Sequence, residues 1–314
     1  MALISLRTVT DTQGHTLALK DGTVSPQGFR LTFEDVPVIE AFRRMVRRLD
    51  FDVCEMAFTT YLCAREFGKP FTALPVFLAR AFHHGAVVRS ATVGARSPAG
   101  LAGRKVGLSR GYTVTTGVWA RGILQDEYGV DPAAVTWVRA GDEHVAEYRP
   151  PPNVVPMRPG ADLASLVASG ELAAGIGVPA QQPDIEPLIP AAAAAGFEAL
   201  RQRGLYPINH LLVVRDDLLA AHPGLAAELF AAYAEAKNRY TQRLRDTATS
   251  DPSPADQMFR RVMEITGADP LPYGIEPNRA MIDLLVRHAV TQKILSRPVA
   301  VEDLFPETTH NLLA

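Results

Sequence analysis

The sequence predicts an α/β protein built as two lobes, on three observations. Short apolar segments with strand character alternate with helical ones over the first two hundred residues or so, whereas the stretch from Asp217 to Leu313 reads as largely helical. At 314 residues the chain is long enough for two domains of ordinary size, each with its own core. Hydrophobic residues make up 47% and charged residues 21%, the balance of a folded rather than a disordered chain.

The elements follow in order. Leu3–Val9 has strand character, Asp21-Gly22 signals a turn, and Phe29–Phe33 alternates as a half-buried strand does. Val38–Leu49 reads as a helix, with Ile39, Phe42, Met45, Val46 and Leu49 on one face and Arg43, Arg44, Arg47 and Arg48 on a solvated one. Phe51–Ala57 is a buried strand, Thr59 or Thr60 an N-cap, and Tyr61–Phe67 a helix stopped by Gly68 and Pro70. Ala73–Phe77 and Gly85–Arg89 complete this block as strands.

Next come a strand at Arg104–Leu108, a helix at Tyr112–Tyr128 and a strand at Val135–Val138. Ala140–Pro159 holds five prolines and reads as a long loop, of the kind that is usually functional or disordered. Asp162–Ser169 is a helix closed by Gly170, Ala173–Val178 a strand, and Ala191–Gly196 a helix tail or linker. Leu211–Val214 is again a buried strand, and His222-Pro223 and Pro277 each start a helix. One economical layout joins 1–87 and 211–314 in a first lobe and inserts 88–210 as a second. Two crossings then link the lobes, with a ligand cleft between them.

Composition excludes several function classes. A formal net charge of −2 gives no basic field to attract nucleic acid or anionic lipid. No apolar run reaches the ~18–20 residues of a membrane span. The start, MALISLRTVTDTQG, lacks the features of a secretory signal, so a cytoplasmic location is expected. Cys54 and Cys63 have no metal-ligand spacing and are expected as reduced core residues.

Four segments carry a family resemblance: Phe51-Asp52-Val53-Cys54-Glu55-Met56 with Thr60-Tyr61-Leu62 behind it, Pro75 to His84, Val118 to Leu124, and Gly204 to His210. In this order they resemble the 4,5-dihydroxyphthalate decarboxylases, over roughly Leu19 to Lys237. That family is similar in fold to type 2 periplasmic binding proteins, so the resemblance implies a two-lobed α/β fold with a hinge cleft. The chain departs from the pattern at two places. The loop after the first strand, where the family usually carries Asp-Tyr-Asp-Arg-Thr, reads Thr10-Asp11-Thr12-Gln13-Gly14-His15-Thr16; Ala174 stands where an Asp is usual. A divergent member is expected.

The candidate chemistry gathers at strand ends. Arg80 can clamp a carboxylate through two parallel hydrogen bonds, and an imidazole titrates near neutrality and can deliver a proton. Adjacent strand residues point to opposite faces, so one of His83 and His84 is expected to reach the substrate, unless the group is a surface loop. His210, after Tyr206-Pro207-Ile208-Asn209, is either a second cleft histidine or a core residue satisfied by a backbone carbonyl. Tyr206 and Asn209 are taken as substrate contacts with it. Ser109, Tyr112, Thr113, Thr115 and Thr116 lie between a strand and a helix, where hydroxyls and free N–H groups hold an anion or simply cap the helix.

Glu55 in apolar company is expected to have a raised pKa, suiting a proton donor, or else to cap the following helix. Asp11, whose carboxylate is a candidate substrate contact, and His15 occupy the first loop, where they line the site or face solvent, and Glu143 and His144, before the proline-rich loop, are candidates for ordering on ligand binding. No metal and no cofactor are expected. The expected function is a cofactor-independent lyase that decarboxylates a hydroxylated aromatic acid such as 4,5-dihydroxyphthalate or an analogue. In that scheme Arg80 and the Ser109–Thr116 segment hold carboxylates, and His83, His84, His210 or Glu55 protonates the carbon that loses carbon dioxide. Alternatives are a cytosolic solute-binding or sensor protein and a lyase or dehydratase acting on another cyclic acid. The expected partner is a small carboxylate, neither nucleic acid nor membrane, with a homo-oligomer left open.

Overall fold

A computed structural model of the protein describes residues 3–179, 184–246 and 252–314. The chain divides into two compact units, Met1–Arg80 with Ile208–Asp283 and Val299–Ala314, and Ala81–Pro207 with Leu284–Pro298. The chain passes between units four times rather than the expected twice: after Arg80, after Pro207, after Asp283 and after Pro298.

The first unit opens with β1 (Ile4–Val9), α1 (Leu17–Lys20), β2 (Phe29–Phe33), α2 (Val38–Arg48), β3 (Val53–Ala57), α3 (Phe58–Glu66) and β4 (Phe71–Arg80). α2 buries Ala41, Phe42, Met45 and Val46 while Arg43 and Arg47 stay exposed, an amphipathic split, but Ile39, expected on the buried face, is exposed in the first turn and Leu49, the C-cap, is half-buried. The expected N-caps Thr59 and Thr60 lie buried inside α3, which starts a residue after Ala57 without a side-chain cap. Burial of nearly the whole helix replaces the cap as its support.

The second unit contains β5 (Val87–Ser90), β6 (Lys105–Leu108), α4 (Thr115–Tyr128), β7 (Thr136–Arg139), β8 (Val154–Pro156), α5 (Leu163–Ala168), β9 (Ala174–Ile176), β10 (Ile185–Pro187) and α6 (Ala192–Arg203). Its strands order as β10-β5-β9-β6-β7-β8. Val88, Val138, Leu166, Val167, Leu172 and Ile185 fill the core against this sheet. The expected loop 140–159 carries the short strand β8, which pairs in parallel with β7 at the sheet edge and accommodates Pro156 there. The alanine run read as a helix tail or linker instead opens α6, as the strongest helix former would.

The chain returns to the first unit with β11 (Ile208–Arg215), α7 (Asp216–Ala221), α8 (Leu225–Asp246) and α9 (Pro254–Thr266), the last begun by a Ser253–Asp256 capping box. α10 (Arg279–Thr291) carries the chain back into the second unit. Its membership there has a physical cause. Arg121 of α4, fully buried, donates through Nε to Gln292 Oε1 at 2.7 Å, and Gln292 donates to the Val118 carbonyl at 3.0 Å. His288 packs edge-on to Trp119 and so close to Gly122 that a Cβ there would sit 2.5 Å from the imidazole.

The sheet of the first unit orders as β2-β1-β3-β11-β4. β1, β2 and β3 run parallel, and β11 is antiparallel to both neighbours, so the C-terminal ends of β1, β3 and β4 meet the start of β11 along one edge. In open α/β sheets that edge is where ligands bind. Among the described residues no helix is long and apolar enough to cross a membrane.

Candidate active site

The edge of the first unit where β3 meets β11 is organised by Glu55. It sits mid-way along β3, whose five residues are all buried between β1 and β11. His210 lies opposite Ala57 in β11, at a point where the register with β4 slips on both sides. Such irregularities bend a strand and re-aim a side chain. The His210 ring turns onto Phe42 edge-on at 5.0 Å and brings Nδ1 to 2.6 Å from Glu55 Oε1. The second oxygen, Oε2, accepts the Asp11 N–H at 2.7 Å.

Burial alone would raise the Glu55 carboxyl. The His210 hydrogen bond and charge, with the Asp11 N–H and nearby His15, outweigh it, and its pKa lies below the usual carboxylate value. This corrects the expected raised pKa: the apolar neighbours are there, but a partner far along the chain stabilises the anion. Nor does Glu55 cap α3. An ionised Glu55 fixes the His210 proton on Nδ1, leaving Nε2 as the second ring nitrogen of a side chain that is 24% exposed. The backbone-carbonyl alternative for His210 does not apply.

Around this pair the first loop is tightly folded. Thr16 Oγ1 donates to the Asp11 carbonyl at 2.9 Å and accepts from the Gln13 N–H at 2.9 Å. Asp11 contributes its backbone N–H rather than the expected carboxylate, which turns to the Thr12 N–H. His15 is buried beneath, where desolvation holds its pKa down at about 4. Tyr233 of α8 is also buried, and burial together with the Glu55 charge pushes its phenol well up. At the end of β4, Arg80 is buried over Phe77 and donates to Asn278 Oδ1. The Asn278 amide nitrogen in turn donates to the Pro272 and Gly274 carbonyls at 3.0 and 2.8 Å, which fixes its oxygen toward Arg80. Arg80 stands opposite Ile208, next along β11 to Asn209 and His210. The structure thus brings Asp11, Glu55, Arg80, Asn209 and His210 into one unit.

The remaining candidates belong to the second unit. His83 and His84 do not alternate on a strand: His83 caps and His84 begins a single 3₁₀ turn, and both are buried. His84 Nε2 lies 3.1 Å from Glu127 Oε2, and Glu127 also takes Arg203 at 2.5 Å. His84 is therefore a brace between the turn, α4 and α6 rather than an open proton donor. Tyr206 packs its ring on Phe82 at 5.5 Å in an aromatic cluster with Phe197.

The N–H groups of Tyr112 and Thr113 are not open to a ligand either. Glu143 Oε1 accepts from Tyr112 N at 2.6 Å, and Oε2 accepts from Thr113 N at 3.0 Å and from its hydroxyl at 2.7 Å. The chain's own carboxylate thus occupies the expected anion position and holds residues 112–113 out of α4, which begins at Thr115. Glu143→Ala is expected to destabilise the protein by about 1–3 kcal/mol, because three buried donors, two N–H groups and a hydroxyl, lose their acceptor. Urea denaturation reads this, and a change under about 0.5 kcal/mol would refute the assignment. Thr115 is buried in the first helical turn. Ser109 and Thr116, with Gly111 and Gly177, line a cavity of about 80 Å³. That is below the roughly 300–1,000 Å³ of small-molecule pockets, so it suits one functional group rather than an aromatic acid.

Lys20, Tyr233 and Asn278 were not singled out from the sequence, where each is an ordinary helix or turn residue. Among the described residues no group of three or more His, Cys, Asp or Glu side chains could hold a metal ion.

Comparison with known proteins agrees with this architecture. No family model matches the chain. It is 32% identical over 304 residues to a 4,5-dihydroxyphthalate decarboxylase of Comamonas testosteroni, covering 91% of this chain and 92% of that protein. A protein of the same name from Pseudomonas putida is 34% identical over 167 residues, 51% of this chain and 64% of the relative. Among solved structures, the periplasmic aliphatic sulphonate binding protein SsuA of Escherichia coli superposes with a TM-score of 0.57 at 9% identity, over 99% of this chain and all of that one. A mutant of the desulfurization enzyme DSZB in complex with biphenyl-2-sulfinic acid gives 0.56 at 14% identity, over 99% of both chains. The fold is that of the periplasmic binding proteins, shared by a binding protein and an enzyme among these structures. With near-complete coverage at this identity, the chain belongs to the 4,5-dihydroxyphthalate decarboxylase family.

Proposed function

We propose that the protein is a cofactor-independent carboxy-lyase that removes carbon dioxide from 4,5-dihydroxyphthalate or a close hydroxylated aromatic acid, with His210 carrying the proton. The observation that carries this reading is the contact of 2.6 Å between His210 Nδ1 and an ionised, buried Glu55. Family membership supplies the reaction class; the dyad supplies a proton carrier suited to it.

The steps balance as follows. Imidazolium His210 gives its Nε2 proton to the ring carbon that bears the departing carboxylate. Electron density from a ring hydroxyl supports that protonation. The carbon–carbon bond then breaks, its electron pair returns to the ring, and carbon dioxide leaves. A solvent proton restores the imidazolium. Glu55 stays ionised throughout, stabilising the imidazolium and fixing the ring orientation, as a buried carboxylate does behind a catalytic histidine. Arg80, oriented by Asn278 two residues of register from His210, is assigned a substrate carboxylate. The setting proposed is the cytoplasm, which keeps the buried thiols of Cys54 and Cys63 reduced.

The test is incubation of the purified protein with 4,5-dihydroxyphthalate while released carbon dioxide and 3,4-dihydroxybenzoate are followed. Stoichiometric formation of both is expected. Binding without turnover, for this compound and for related hydroxybenzoates, would leave a solute-binding protein and overturn the proposal.

A further inference from the structure

Lys20 ends the four-residue helix α1 and is half-buried. Its Nζ donates to the Thr10 carbonyl at 2.7 Å and to the Thr12 hydroxyl at 2.8 Å. Between those two anchors lies Asp11, whose N–H is the donor to Glu55 Oε2. The same ammonium sits 5.3 Å from the centre of the Phe33 ring. A lysine is ordinarily left in water, and drawing one in costs solvation that these contacts must offset.

We propose that Lys20 is a positioning residue of the reaction, which grips Thr10 and Thr12 so that the Asp11 N–H stays on Glu55 and Glu55 stays aimed at His210. The inference rests on the reading of His210 as the proton carrier. Lys20 is not needed merely to close the loop, because Thr16 already ties Asp11 and Gln13 together on the other side. What Lys20 adds to the loop is its hold on Thr10 and Thr12 and its charge. The groups that interact electrostatically with Glu55 are His210 from β11, Asp11 and His15 from the loop, Cys54 from β3, Tyr233 from α8, Tyr273 from the segment after α9, and Lys20 from α1. Among these, Lys20 is the cation that stays charged whether or not His210 is protonated. Without it the field of Glu55 falls more fully on His210 and favours the imidazolium.

The experiment compares Lys20→Met, Lys20→Arg and Thr12→Val in the full-length protein, with two readouts. One is the NMR titration of the His210 ring without substrate, its signals assigned with His210→Gln. The other is the pH profile of kcat and KM. In Lys20→Met the His210 midpoint is expected to rise by roughly half a pH unit or more, the kcat profile to move with it, and kcat to fall about tenfold with KM nearly constant. Lys20→Arg, which keeps the charge, should hold the midpoint near that of the parent. Thr12→Val, an exposed change that leaves the charge in place, should lower kcat severalfold without moving the midpoint.

An unchanged midpoint and profile in Lys20→Met would overturn the proposal. So would a raised KM at unchanged kcat, which would make Lys20 a direct substrate contact. If Lys20→Met fails to fold, unaltered kcat in Thr12→Val overturns it instead. Should His210→Gln retain full activity, the functional reading fails, while the NMR midpoint still decides the role of Lys20.

Discussion

Replacing His210 with Gln is expected to lower kcat for decarboxylation by about 10²–10⁴-fold while leaving the fold intact, measured as carbon dioxide release at substrate saturation. The size follows from the role: losing the positioned acid returns the proton-transfer step to water, equivalent to roughly 3–5 kcal/mol of barrier. The fold should tolerate the change because His210 is partly exposed and a carboxamide can still donate to Glu55 Oε1. Glu55→Gln should lower kcat in the same direction, since an uncharged partner neither fixes the Nδ1 proton nor stabilises the imidazolium. A His210→Gln protein with kcat within about threefold of the parent would remove His210 from the chemistry.

The protein should lose stability steeply as the pH falls from 6.5 to 4, with His15 alone responsible for about 3 kcal/mol of that loss. The folded-state pKa of His15 is about 4 against an ordinary 6.5, because burial penalises the charged ring. Within this window the unfolded chain holds a proton at His15 that the native state does not. Stability therefore rises with pH across the window and falls as acid is added, and below both values His15 contributes no further change. His288, also held at about 4 chiefly by burial, acts in the same direction in the other unit. Glu55 adds a later loss: its lowered pKa contributes stability that is present above its unfolded value and disappears as pH drops through the folded one. Urea midpoints measured between pH 7 and 4 test this, with His15→Gln expected to flatten the slope. A parent protein whose midpoint stays level over that range would contradict the burial of both histidines as uncharged rings.

Much of the architecture could be read directly. The alternation of Phe29–Phe33, the apolar stripe of Val38–Arg48, the apolar residues that flank Glu55 in β3 and the run Leu211–Val214 of β11 each declare their element within a few residues. His210 was legible as a candidate because it stands at the entrance to a buried strand. Elements that depend on remote partners were not. Tyr112 and Thr113 look like the first turn of a helix until Glu143, about thirty residues on, takes their N–H groups. His83 and His84 look like paired strand-end side chains until a 3₁₀ turn buries both and Glu127 engages His84. The segment Leu284–Pro298 looks like part of a C-terminal helical set, yet the Arg121–Gln292 hydrogen bond fastens it to α4.

The sequence by itself determined the α/β class, the positions of most strands and helices, and the family to which the chain belongs. Periodicity and capping act between neighbours a few residues apart, so they are written locally. Only the tertiary structure decided which ionisable groups meet. Glu55 and His210 are separated by 155 residues, Arg80 and Asn278 by 198. Whether a carboxylate ends up ionised or protonated depends on the donor that folding delivers to it, and here folding delivers an imidazole and a backbone N–H to a site that composition alone marks as apolar.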